Sequence, residues 1–262
     1  SDSDGWSWGV EAEASRSETD GTIRYGDHDF GRYSGRVQIN GPSAQVNLFA
    51  GYQSKLFGWP ELYAAPFGFN ELENLRTRLF LADYRKDLGN GGFWQVTAYA
   101  RRHKDHYVLS RETPSIFEAF HETDVYALAW SGRHSAGSGL ALNYSGQLTA
   151  DKIESTVLEN NFTSRSQIKV SLLPEYRVSL RDRKSITVRV GASLDNTNRD
   201  SSRVSPLFDL TWARSHGDGA SERIYLSYAE SSQVSGYTAV GGSETGGLFR
   251  SNHTLDRETS RN

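Results

Sequence analysis

Between Leu140 and Asp151 the side chains alternate in kind. Leu140, Leu142, Tyr144, Gly146, Leu148 and Ala150 take one parity; Ala141, Asn143, Ser145, Gln147, Thr149 and Asp151 take the other. Successive side chains on a strand point to opposite faces, so this segment makes one apolar wall and one mostly polar wall. On a helix the same residues would be scattered around the circumference. The pattern recurs and predicts eleven strands and the approach to a twelfth, over 5–16, 30–40, 44–54, 74–86, 93–104, 123–132, 139–151, 164–173, 185–196, 204–214 and 222–231. Most are near the ~9–11 residues of a tilted membrane-crossing strand.

The connectors alternate in length. Asn40–Ser43, Asp87–Gly92, Gly132–Ser138, Pro174–Lys184 and Arg214–Ser221 are short or turn-like, and Asn40-Gly41 and Asn90-Gly91 are hairpin signals because both residue types tolerate positive φ. Between them lie the links Ser17–Asp29, Lys55–Glu73, His103–Glu122, Lys152–Thr163 and Ser232–Asp256, with Thr197–Arg203 the shorter exception. Short turns on one side and long loops on the other are the habit of an outer-membrane barrel.

Sorting each strand by parity gives a clean apolar wall. Trp6, Trp8, Val10, Ala12 and Ala14 oppose Ser7, Glu11 and Glu13; Tyr33, Val37 and Ile39 oppose Arg32, Arg36 and Gln38. Ala44, Val46, Leu48, Ala50 and Tyr52 oppose Gln45, Asn47 and Gln53, and Ile186 to Leu194 oppose Thr187, Arg189 and Asp195. In 74–86 the same rule sets Leu75, Thr77, Leu79 and Leu81 on the lipid side, with Arg76 and Arg78 facing the lumen beside Arg36 and Arg101. Trp6, Trp8, Trp94, Trp130 and Trp212 lie near the short-turn end, whereas Tyr33, Tyr52, Tyr126 and Tyr228 lie near the other rim. Two such belts match the interfacial preference of Trp and Tyr.

Composition narrows the classes. The chain has 262 residues, 36% hydrophobic, with a mean hydropathy of −0.61, and no run approaches the ~20 apolar residues of a membrane helix. A barrel passes that test, because only alternate residues must be apolar. A net charge of −3 argues against a nucleic-acid partner. The absence of cysteine excludes disulfides and thiolate metal sites. The chain starts at Ser1 without a signal peptide and ends in polar residues at Arg261-Asn262, with no closing strand, so a fragment of a longer barrel is expected.

Three stretches resemble TonB-dependent outer-membrane receptors. They are Gly51-Tyr52-Gln53 through Phe57-Gly58-Trp59-Pro60 to Phe67-Gly68-Phe69-Asn70-Glu71; Asp83-Tyr84-Arg85 through Ala100 to Tyr107; and Tyr225 to Glu230 through Asn252 to Ser260. The last is similar to the family's G-N-P-x-L-x-P-E-x-S approach to a late strand. It keeps Asn252, Leu255, Glu258 and Ser260 but has Ser251, His253 and Arg257 in place of the Gly and both Pro. The loop Ser15–Phe30, ending Asp27-His28-Asp29-Phe30, is similar to the family's first outer loops. The resemblance implies an all-β fold: residues 1–262 as part of an antiparallel transmembrane β-barrel, some 11–12 strands of about 22, without its plug domain. It implies a receptor for cobalamin or a ferric siderophore, bound at outer loops and imported through a plug worked by the TonB complex.

The loops hold the candidate chemistry. Trp59, Tyr63, Phe67 and Phe69 would stack on a flat or apolar cargo, or pack on one another over the mouth. Arg36, Arg76, Arg78 and Arg101 would attract anionic cargo or the plug, or pair with Glu11 and Glu13. Glu18, Asp20, Asp27 and Asp29 offer oxygens for calcium in the loop 17–29, without EF-hand spacing; no other cofactor is expected. His103 and His106 fall on opposite faces of a strand, which disfavours a metal pair. Gly241-Gly242-Ser243-Glu244-Thr245-Gly246-Gly247 lacks the Lys of a phosphate loop and reads as an outer loop. No G-x-S-x-G elbow occurs, and no enzyme is expected. A passive porin, a barrel hydrolase and a soluble β-sandwich or adhesin-like protein are the alternative classes.

Overall fold

The computed structural model describes residues 5–159, 163–216, 220–242, 251–252 and 254–262. Twelve strands follow in chain order: β1 (Ser7–Thr19), β2 (His28–Asn40), β3 (Ala44–Pro60), β4 (Asn70–Gly89), β5 (Gly92–Val108), β6 (Glu118–Gly137), β7 (Leu140–Ser155), β8 (Ser164–Ser179), β9 (Lys184–Thr197), β10 (Arg203–Ser215), β11 (Ser221–Gln233) and β12 (Glu258–Arg261). A single turn of 3-10 helix (Pro114–Ile116) precedes β6, and a short helix α1 (Tyr237–Gly241) lies between β11 and β12. All strands belong to one sheet in the order β1 to β12, and every described pairing is antiparallel.

Turn chemistry explains the hairpins. Asn90 and Gly91 carry φ of 51° and 70° between β4 and β5, and Ser138 and Gly139 carry 50° and 82° between β6 and β7. Two consecutive positive φ values match the right-handed twist of the flanking strands. Many strands are longer than the alternation alone indicated, because their ladders continue past the apolar band into polar residues.

Register fixes the two faces. One mid-height row runs Val37, Leu48, Ala82, Ala98, Leu128, Leu148 and Ile168 across β2 to β8. On β4 the band is bounded by Arg78 and Lys86, eight residues apart, or ~27 Å along a strand at ~3.4 Å per residue. A tilt of ~40° leaves ~21 Å, close to the ~25 Å apolar band of an outer-membrane barrel. The band borders an open hollow of about 1390 Å³, walled by Val37, Leu48, Phe80, Leu128, Leu148 and Ile168. Gly146 carries no side chain because a Cβ there would stand 2.1 Å from the ring of Trp130; the indole lies across β7 instead.

Two expectations are corrected here. The expected portion of a transmembrane barrel of about 22 strands is replaced by an open twelve-stranded sheet: β1 pairs only with β2, and β12 only with β11, among the described residues. In β4 the face assignment is reversed. Tyr52 pairs with Arg78 and Ala50 with Phe80, so Arg76, Arg78, Phe80 and Ala82 stand on the apolar face, and Leu75, Thr77, Leu79 and Leu81 on the polar one. Leucine and phenylalanine occupy both parities of this strand, so its alternation carried no face signal; the hydrogen-bonded neighbours decide.

Candidate functional site on the two faces of the sheet

The polar face is held by charge networks. The Glu175 carboxylate, almost wholly buried, accepts from Arg133 Nη2 (2.7 Å), Arg189 Nε (2.7 Å) and Asn143 Nδ2 (3.2 Å). Arg189 Nη1 also donates to Asp209 (2.7 Å). Nearer β1, Asp83 accepts from Gln95 (2.7 Å) and Thr97 (2.6 Å). Arg36 and Arg101 stand on this face. Arg36 donates to Asn47 (3.0 Å) and Gln38 (3.4 Å), while Glu13 takes Arg32 as its partner.

At the loop end two segments fold onto this polar face. The first is 61–69, between β3 and β4. Glu71 is fully buried (0% exposed). Its carboxylate accepts from Tyr63 N (3.0 Å to each oxygen), Ala64 N (2.9 Å) and Tyr107 Oη (2.6 Å). Tyr63 Oη donates to Glu73 (2.8 Å), and its ring meets Tyr107 edge-on at 5.6 Å. The four aromatic cargo candidates do not converge. Phe69 packs against Ala64, Tyr107, Leu109 and Ala119; Trp59 and Phe67 are 56% and 74% exposed. Glu71 and Tyr107 organise this corner, and sequence reasoning passed over both. The available signal was the pair Glu71 and Glu73, two carboxylates of one parity directly after an aromatic loop.

The Tyr63 ring is open to solvent while its hydroxyl is tucked against Glu73. Desolvation of the hydroxyl, then the hydrogen bond to Glu73, push its pKa to about 12. Carbon-detected NMR of ring-labelled tyrosine is expected to show Tyr63 titrating near there, and Glu73→Gln should bring it back toward 10.0, the ordinary value. An unchanged titration in that variant would dismiss the carboxylate as a cause.

The second segment follows β11. Tyr237, in α1, donates to Asp151, and with Val240 covers Ile153. Burial, then Asp151, raise the Tyr237 pKa. Arg257 reaches Asp195 (3.3 Å) and Asp200 (3.0 Å) with its side chain only 6% exposed. Asp195 also pairs with Lys169 (3.2 Å). Residues 243–247 of the glycine-rich stretch lie outside the described residues.

The carboxylates considered for calcium are taken up by arginines: Glu18 and Asp29 share Arg16, and Asp27 binds Arg111. Among the described residues no group of three His, Cys, Asp or Glu is placed to hold a metal.

Above its band the apolar face turns charged. Successive rows read Tyr33, Tyr52, Arg78, Arg102, Asp124, Lys152 and then Gly31, Ser54, Arg76, Lys104, Glu122, Glu154. Arg102 is paired bidentately with Asp124 (2.6 and 2.8 Å), Lys104 with Glu122 (2.6 Å) and Lys152 with Glu154 (2.6 Å).

No protein-family model matches the chain, and no curated protein matches it. Among solved structures it is similar to the β-domain of the Bordetella autotransporter Brka, at 9% identity, over 86% of this chain and 90% of that one, with a TM-score of 0.36. At that identity and superposition the likeness concerns strands alone. The TonB-dependent-receptor resemblance is corrected: no family model and no curated protein supports it, and the similar solved structure is an autotransporter β-domain. With it fall the nutrient-import role, the cobalamin or siderophore cargo, and the plug and TonB complex as partners. The banded apolar face fits a lipid environment.

Proposed function

We propose that this chain is a non-enzymatic outer-membrane wall whose polar face borders a passive aqueous passage. One observation supports it above the rest: across the sheet an apolar band and a polar, ion-paired face stay on opposite sides of the same strands. Hydrocarbon accepts the first and water the second. The exposed edge of β1 has backbone groups that hydrocarbon does not tolerate, so in a bilayer that edge pairs with another strand.

Planar-bilayer recordings on the full-length protein test this. Stepwise ion conductance without an energy source is the expected result; an insulating bilayer containing inserted protein would remove the passage.

A further inference from the structure

We infer that Arg76 and Arg78 form a seat for the phosphate of an outer-leaflet lipid. The inference rests on the outer-membrane placement proposed above. Arg78 lies directly opposite Arg102, and Arg76 opposite Lys104, giving a block of four cations on β4 and β5. Like charges directly opposite one another destabilise a strand pair. Arg102 and Lys104 are compensated by Asp124 and Glu122 of β6. The side chains of Arg76 and Arg78 make no hydrogen bond or ion pair with any described residue, so the block keeps an uncompensated double positive charge.

Its surroundings fit a lipid headgroup. On the β3 side, Tyr52 stands opposite Arg78 and Ser54 opposite Arg76, adding hydroxyl donors. Arg78 walls a hollow of about 570 Å³ with Tyr33, Tyr52 and Phe80, floored by Gly35 and Ala50; Glu13 also lines it, with its carboxylate taken up by Arg32. The small floor residues leave room for an acyl chain, which continues downward over the apolar band. Arg76 and Lys104 also line a second hollow of about 490 Å³ one row higher, but Asp105, Glu122 and Glu154 share its wall, so the phosphate is assigned to the Arg78 hollow with Arg76 at its upper edge. The cations thus sit one and two rows above hydrocarbon, at headgroup depth, and guanidinium groups bind phosphate oxygens through charge-assisted hydrogen bonds.

The test uses the full-length protein in neutral phosphatidylcholine vesicles with and without phosphatidic acid, followed by native mass spectrometry of retained lipid. The wild type should retain phosphatidic acid over phosphatidylcholine. The pair Arg76→Gln and Arg78→Gln should lower that retention about tenfold or more, the loss of roughly one strong charged contact. Arg181→Gln, a cation in the distant β8–β9 turn, should not. In neutral lipid the double variant should unfold at the same denaturant concentration as wild type or a higher one, since it relieves repulsion; this separates lost binding from lost folding. Equal retention in the double variant, or displacement of the lipid by inorganic phosphate, overturns the seat. Failure of the wild type to insert at all overturns the membrane reading instead.

Discussion

Leu148→Arg is expected to lower the stability of the full-length protein in a bilayer by about 2–4 kcal/mol, the cost of a guanidinium on the lipid face at mid-depth. Leu148 is 43% exposed and lies in the mid-height row between Leu128 and Ile168. Thr149→Lys is the matched control. Thr149 is the next residue along β7 and stands on the polar face between Ala127 and Gln167, so its new charge meets water. Equilibrium unfolding from phosphatidylcholine vesicles reads both. If Leu148→Arg and Thr149→Lys shift the midpoint equally, the two faces do not see different solvents, and the proposed wall is wrong.

Much of this face assignment was legible in the sequence, for a physical reason. In β1, β2, β3, β7 and β9 the apolar residues at mid-height hold one parity, Phe49 excepted, and register places them together: Trp8 with Ile39, Ile39 with Val46, Gly146 with Val170, Val170 with Leu194. Hairpin positions were legible because Asn90-Gly91 states its backbone conformation in residue type. β4 was misread because Leu79, Phe80 and Leu81 are consecutive, so parity is undetermined until Phe49 and Ala50 are known as the neighbours of Leu81 and Phe80. That error hid the charged rows above the band, since Arg76 and Arg78 were counted on the wrong side. The folded loops were illegible for a different reason: Tyr237 on Asp151 and Arg257 on Asp195 join residues 86 and more than 60 positions apart, and no local pattern encodes such contacts.

Glu71→Ala is expected to release the 61–69 loop from the polar face. The substitution strands the amides of Tyr63 and Ala64 and the hydroxyl of Tyr107, all of which now end on one buried carboxylate. Each buried donor left without an acceptor costs about 1–3 kcal/mol. Their sum exceeds what a nine-residue loop on a small apolar cluster of Ala64, Tyr107, Leu109 and Ala119 can hold against solvation. The response is therefore local. β3 and β4 remain paired from Pro60 and Asn70 down to Ala44 and Lys86, so the sheet keeps its unfolding midpoint while the loop opens to water and satisfies its donors there. Hydrogen exchange should show the Tyr63 and Ala64 amides losing protection, and chymotrypsin should cut at Phe67 faster than in wild type. Glu71→Gln should fall between, because it keeps one acceptor oxygen but turns an NH₂ toward donors. Retained amide protection in Glu71→Ala would mean that the apolar cluster, not the carboxylate, holds the loop down. Phe69→Ala would then be the variant that opens it, since Phe69 is the loop aromatic packed against that cluster.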